Sequence, residues 1–126
     1  MFDPMKPASV VLLQCEARTN SLASSLSHYF RAVHMAHSAD ELREIIGKKH
    51  PQIAIIDVEV VGLSEVERLK RDFGGIPVVC THRLADEEMW KEALDVGADD
   101  LDLPDDTRGI VAAAMRYAPN FLSVAA

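Results

Sequence analysis

The stretch Gln52-Ile53-Ala54-Ile55-Ile56-Asp57-Val58-Glu59-Val60-Val61-Gly62 decides the fold. Ile53 to Ile56 form a short, mostly β-branched apolar run, bounded by Pro51 upstream and Gly62 downstream. That is the pattern of a strand buried on both faces, as at the centre of a parallel sheet. The run ends in a carboxylate, Asp57. In open α/β sheets the crevice beyond the carboxyl ends of the strands is where ligands and chemistry sit. A charge at that edge is expected to stay solvated, because burying it is costly. Asp57 is the first candidate functional residue.

Upstream, Val10 to Leu13 reads as the first strand, followed by Gln14-Cys15-Glu16 and a polar loop through Asn20. Leu22, Leu26 and Phe30 then recur at helical spacing, with Asn20 or Ser21 as the expected cap. Val33 to Ala36 is a weak second strand. Ser38-Ala39-Asp40-Glu41 has the Ser-x-x-Glu form of a capping box, opening a helix with Leu42, Ile45 and Ile46 inward that Gly47 is expected to stop. Downstream, Ser64 to Glu67 offers a second capping box, for a helix with Leu63, Val66, Leu69 and Phe73 buried. Gly74-Gly75 ends that helix, and Ile76 to Cys80 is the fourth strand. Asp86 leads a helix carrying Met89, Trp90, Ala93 and Leu94, ended by Gly97. Leu101 to Leu103 is the fifth strand. Thr107 to Ala118 is a last helix with Ile110, Val111, Ala114 and Met115 inward, closed by Pro119. Strand and helix alternate five times without repeat or linker, which predicts an α/β, doubly wound parallel sheet with helices on both faces. The domain is expected over residues 8–119, with 1–7 and 120–126 as flexible termini.

The chain has 126 residues, enough for one domain with a proper core. Its net charge of −7 argues against a nucleic-acid-binding face, where affinity comes from Lys and Arg neutralising phosphates. No apolar run approaches the roughly 20 residues of a membrane helix. The N-terminal residues lack the charged start and apolar core of a secretion signal. Two cysteines, Cys15 and Cys80, give no disulfide framework and suit a reducing cytoplasm.

Asp57 at the end of the third strand, Thr81 in Val78-Val79-Cys80-Thr81-His82, and Gly97-Ala98-Asp99-Asp100 leading into the fifth strand are together similar to the receiver domain of bacterial response regulators (the CheY-like superfamily). The resemblance covers nearly the whole chain, and the tetrapeptide is its most specific part. It implies a flavodoxin-like five-stranded sheet of order 2-1-3-4-5, a non-enzymatic role in two-component phosphorelay signalling, Asp57 as phosphoacceptor and Thr81 as switch hydroxyl. The implied partners are proteins, a histidine kinase or a downstream effector, with homodimerisation through the last two helices and the fifth strand; Trp90 lies there as a candidate interface anchor.

The departures from the receiver pattern bear on the chemistry. The acidic pair that holds Mg2+ in that family falls on Gln14 and Cys15, followed by Glu16. Mg2+ takes oxygen ligands in octahedral geometry; a neutral carboxamide is a poor donor and a thiol is too soft. Glu16 and Glu59 are the residues with which Asp57 could rebuild a weakened metal site. The family's phosphate-gripping lysine is missing, since Leu103-Pro104-Asp105-Asp106 stands in its place. Phosphoryl transfer depends on positioning and charge neutralisation. The expectation is an atypical receiver with weak or no phosphorylation of Asp57, the alternative being a conventional phosphoacceptor. In the implied strand order Cys15 and Cys80 lie two strand spacings, about 10 Å, apart, beyond disulfide reach. A reading of another class is a flavodoxin-like redox or metal-binding protein. Its support is the Thr19-Asn20-Ser21 loop at a helix N-terminus, where a flavin phosphate could sit, and the convergence of Cys15, Glu16, Asp57 and His82 on one crevice.

Overall fold

The structure, a computed structural model, describes residues 9–118. The expected flexible termini and the closing role of Pro119 lie outside the described residues. Within them, strands and helices run β1 (Ser9–Leu13), α1 (Glu16–Leu26), β2 (Ala32–Met35), α2 (Ala39–Lys49), β3 (Ile53–Asp57), α3 (Val58–Val61), α4 (Leu63–Asp72), β4 (Val78–Thr81), α5 (Glu87–Asp95), β5 (Asp100–Asp102) and α6 (Thr107–Tyr117). The sheet is parallel throughout and ordered β2-β1-β3-β4-β5, the predicted topology.

β3 sits at the centre because both of its faces are apolar. Ile53 and Ile55 pack with Leu22, Leu26 and Phe30 on the α1 side and with Ile110 and Ala114 of α6. Ala54 and Ile56 pack with Leu42 and Ile46 of α2, Val66 and Leu69 of α4 and Ala93 of α5. All four strand residues are fully buried, and each large side chain among them contributes roughly 2 kcal/mol by leaving water. A polar residue on either face would have no partner, which is why the run is continuous rather than alternating.

Several boundaries differ from expectation. α1 starts at Glu16 with Cys15 in the N-cap position and no side-chain cap. Asn20 and Ser21 therefore lie inside the helix, because the buried stripe begins a turn earlier, at Thr19, and runs on through Leu22 and Leu26. In α2, Ser38 caps as expected, accepting the Glu41 N–H at 3.1 Å, but the Glu41 carboxylate takes the His37 N–H at 3.0 Å. Gly47 does not stop this helix; it continues to Lys49 and closes on His50 at φ 49°. The short helix α3 has no counterpart in the sequence reading. Gly62, at φ 83°, turns the chain from α3 into α4, so Ser64 sits in the first turn and caps nothing. In α6 the inward positions are Ile110, Val111, Ala113 and Ala114, and Met115 is 36% exposed. Asp86 caps α5 as read, accepting the Met89 N–H at 2.9 Å.

Candidate functional site

The strands deliver four polar side chains in one row at the carboxyl edge of the sheet. Asp57 is register partner of Thr81, and Thr81 of Asp102. Gln14 and Asp57 directly follow the paired residues Leu13 and Ile56. Alternation along the strands turns all four toward the face covered by α1 and α6, the side on which Leu12, Ile55 and Val79 pack.

Asp57 is buried, 2% exposed, against the expectation of a solvated strand end. The cause is α3, which starts on the next residue: Asp57 is its N-cap, with Oδ1 accepting the Glu59 N–H at 2.9 Å. Burial raises the Asp57 carboxyl above the usual range; the Glu59 N–H opposes that, the Glu59 charge adds to it, and the charges of Arg18 and His82 pull the other way.

Gln14 and Thr81 reach each other across the row. Nε2 of Gln14 donates to the Thr81 hydroxyl at 3.1 Å, and Oε1 lies 3.3 Å from the same oxygen. Gln14 is 5% exposed and Thr81 is fully buried. A neutral carboxamide therefore satisfies the buried Thr81 hydroxyl from within the chain.

Glu59 is engaged with the β4–α5 loop. Its carboxylate accepts the Arg83 backbone N–H at 2.6 Å and the Arg83 Nε at 2.8 Å, and these two donors hold its pKa below the usual carboxylate range. His82 Nδ1 accepts the Leu84 N–H at 2.8 Å and stands 3.7 Å from Glu59. Asp102, the last residue of β5, is not singled out by sequence reasoning. Its Oδ2 is buried without a hydrogen-bond partner among the described residues. Burial, with the charges of Asp100 and Asp106, pushes its carboxyl up to about 6.

Sequence reasoning also places no cation near 103–106, and the structure brings one. Arg18, in the first turn of α1, donates from Nε to Asp105 Oδ1 at 2.9 Å and from Nη1 to Cys15 Sγ at 3.4 Å. It is far away in sequence from Asp105, so spacing gives no hint. A signal is nonetheless present: a cation at the N-terminal end of a helix stands against the dipole and needs another partner. Glu16 is exposed at the start of the same helix.

The donor set does not fit the Mg2+ that this fold implies. Gln14 is committed to Thr81, Cys15 is a thiol beside a guanidinium, and Arg83 holds both oxygens of Glu59. Glu16, Asp57 and Glu59 do not gather into a metal site, nor do Cys15, Glu16, Asp57 and His82: among the described residues no group of three or more His, Cys, Asp or Glu is placed to hold an ion. The redox reading loses its loop as well, since Thr19, Asn20 and Ser21 lie within α1. Both cysteines are free, and burial pushes the Cys80 thiol up to about 12.

The Gly97-Ala98-Asp99-Asp100 motif builds backbone rather than chemistry. Gly97 leaves α5 at φ 104°, and Asp99 Oδ2 accepts the Val78 N–H at 2.8 Å, registering β5 on β4. Trp90, on α5, is 47% exposed, and Leu84 at 67% and Leu103 at 49% are the other most exposed large apolar side chains among the described residues. No helix among the described residues is long and apolar enough to cross a membrane.

A scan against models of protein families gives no match, and no curated protein matches the sequence. Solved structures do match. The N-terminal receiver domain of a two-component response regulator from Bacteroides fragilis superposes with a TM-score of 0.81 at 18% identity, covering 89% of this chain and 97% of that one. NtrX from Brucella abortus, solved with ADP, gives 0.76 at 22% identity, over 88% of this chain and 26% of the longer one. The receiver domain of DrrB, activated with beryllofluoride, gives 0.75 at 16% identity over 90% and 97%. The fold is the flavodoxin-like fold of response-regulator receiver domains, as the sequence resemblance implied.

Proposed function

We propose that this chain is a receiver-type signalling module that works by protein–protein contact, with little or no phosphorylation of Asp57. The observation that carries the reading is the buried Gln14–Thr81 hydrogen bond beside Asp57. In a receiver the switch hydroxyl answers to the phosphoryl group; here it is already bonded within the resting protein. A phosphoryl dianion on Asp57 would also meet the charges of Glu59 and Asp102 without a fitting metal site or the family's lysine. Losing two opposing charges at a few kcal/mol each lowers the transfer rate by several orders of magnitude.

The partner is a protein, a histidine kinase or a downstream effector, and the net charge of −7 speaks against nucleic acid. The exposed Leu84, Trp90 and Leu103 supply apolar area for such a contact or for a homodimer. The conventional alternative, a phosphoacceptor at Asp57, is favoured by one feature: Asp57 and Thr81 are direct register partners.

The test is incubation with acetyl phosphate and Mg2+, read by intact mass beside a receiver that is known to react. The expected result is an unmodified wild type under conditions that convert the control. A phosphoryl adduct that disappears in Asp57→Asn would overturn the reading.

A further inference from the structure

The disagreement between the implied metal and the residues present has a second component besides poor ligands. Arg18 bridges the two flanks of the crevice, from Cys15 after β1 to Asp105 after β5. These are the two places where the receiver resemblance calls for a metal-binding acid and for a phosphate-gripping cation. From the structure we infer that Arg18 is the resident cation of the strand-end crevice, a tethered charge that keeps divalent metal ions out of it.

Stability alone does not explain the arrangement. The Asp105 side chain is 85% exposed, and ion pairs to so open a partner contribute little. The position is unfavourable for a cation on helix grounds, because the first turn of α1 carries the positive end of the dipole. Asp105 raises the Arg18 pKa above its already high value, so the group stays charged at any pH at which the protein is folded. Its side chain is only 29% exposed, so solvent does not fully screen it from the row, and its field reaches Asp57. A dication entering beside Asp57 must approach this fixed positive charge, which already acts on the Asp57 carboxyl, and like-charge repulsion in a half-buried pocket opposes its binding. On the other flank, Arg83 occupies Glu59. The two guanidiniums thus neutralise the acidic rim without any ion.

This inference rests on the receiver reading of the crevice, so its test separates Arg18 from the missing ligands and from phosphoryl transfer. Mn2+ binding is followed by the loss of the free-ion electron paramagnetic resonance signal, in two backgrounds: wild type, and a chain with Gln14→Asp and Cys15→Asp. Adding Arg18→Gln to the acid-restored chain is expected to tighten Mn2+ binding about tenfold or more, the scale of removing one nearby unit charge. Arg18→Lys in the same background is expected to leave binding weak. Arg18→Met serves as a second neutral variant, and circular dichroism confirms folding of each. Equal Mn2+ affinity with Arg18 in place and with either neutral replacement would overturn the inference, as would tight binding by the wild type. A wild type that takes up Mn2+ yet resists acetyl phosphate removes the role of Arg18 and leaves the proposed function standing. A wild type that refuses Mn2+, in a series where neutralising Arg18 tightens binding, and that is nevertheless modified does the reverse.

Discussion

Replacing Thr81 by Val removes a hydroxyl and keeps the shape of a fully buried side chain. It leaves the Gln14 carboxamide, 5% exposed, without its partner in the row. An unmet buried polar group costs about 1–3 kcal/mol. Gln14→Leu costs a similar amount for the opposite reason: it strands the Thr81 hydroxyl, which no solvent reaches. Combining the two removes both polar groups at once, and replacing both partners of a buried bond by apolar groups is close to neutral. The double variant should therefore be more stable than the sum of the single costs predicts, by roughly 2–6 kcal/mol. Urea unfolding of the four chains at neutral pH measures this, provided that the slopes agree. Single costs that add to within about 0.5 kcal/mol would show that the two groups do not interact, and the claim that Gln14 holds the Thr81 hydroxyl would fall.

Other outcomes follow from the same structure. Asp102 should give a pH-dependent stability. Below its ordinary value of 3.8 it is protonated folded and unfolded alike; with the folded value near 6, its relative stabilisation is fully present there and is lost as pH rises through about 6. The loss is at most about 3 kcal/mol, from roughly two pKa units. Asp102→Asn should accordingly raise the melting temperature at pH 8 and confer progressively less toward pH 4; a benefit independent of pH would contradict the assignment. Arg43 bonds Glu65 at 2.9 Å and Asp72 at 2.9 Å, and Glu65 is 7% exposed. Arg43→Ala leaves the nearly buried Glu65 carboxylate with only the longer Arg68 contact, at 3.4 Å, and should cost about 2–3 kcal/mol in chemical denaturation. Arg83→Ala breaks a pair whose arginine is 72% exposed and should cost less than about 1 kcal/mol; equal costs for the two would refute the burial argument.

The architecture is legible in the sequence because it rests on local signals that tertiary packing does not overrule. Ile53 to Ile56 can satisfy both faces only at the middle of a sheet, and Ser38 and Asp86 cap where their side chains permit. The start of α1 is not legible, because Cys15 offers no capping side chain and Asn20 offers a misleading one. α3 escapes notice since four residues carry no periodicity. In the site, Asp57 and Thr81 can be found from their places at strand ends, yet the burial of Asp57 cannot, because it depends on that hidden helix. Arg18 and Arg83 act through partners distant in sequence, Asp105 and Glu59, and no spacing rule links them. The tetrapeptide at 97–100 is the clearest motif for a physical reason: it encodes a left-handed glycine and a carboxylate that registers two strands, which leave a fixed trace in sequence, whereas electrostatic compensation does not.

The most direct test of the proposal that Gln14 already holds the Thr81 hydroxyl in place of a phosphoryl group is a titration of uniformly 15N-labelled protein with beryllofluoride and Mg2+, followed by amide spectra. The resonances of Gln14, Asp57, Thr81 and the following loop should stay where they are. Saturable shifts at those residues, abolished by Asp57→Asn, would show that the crevice accepts a phosphoryl mimic and that the Gln14–Thr81 bond does not set the state of the domain.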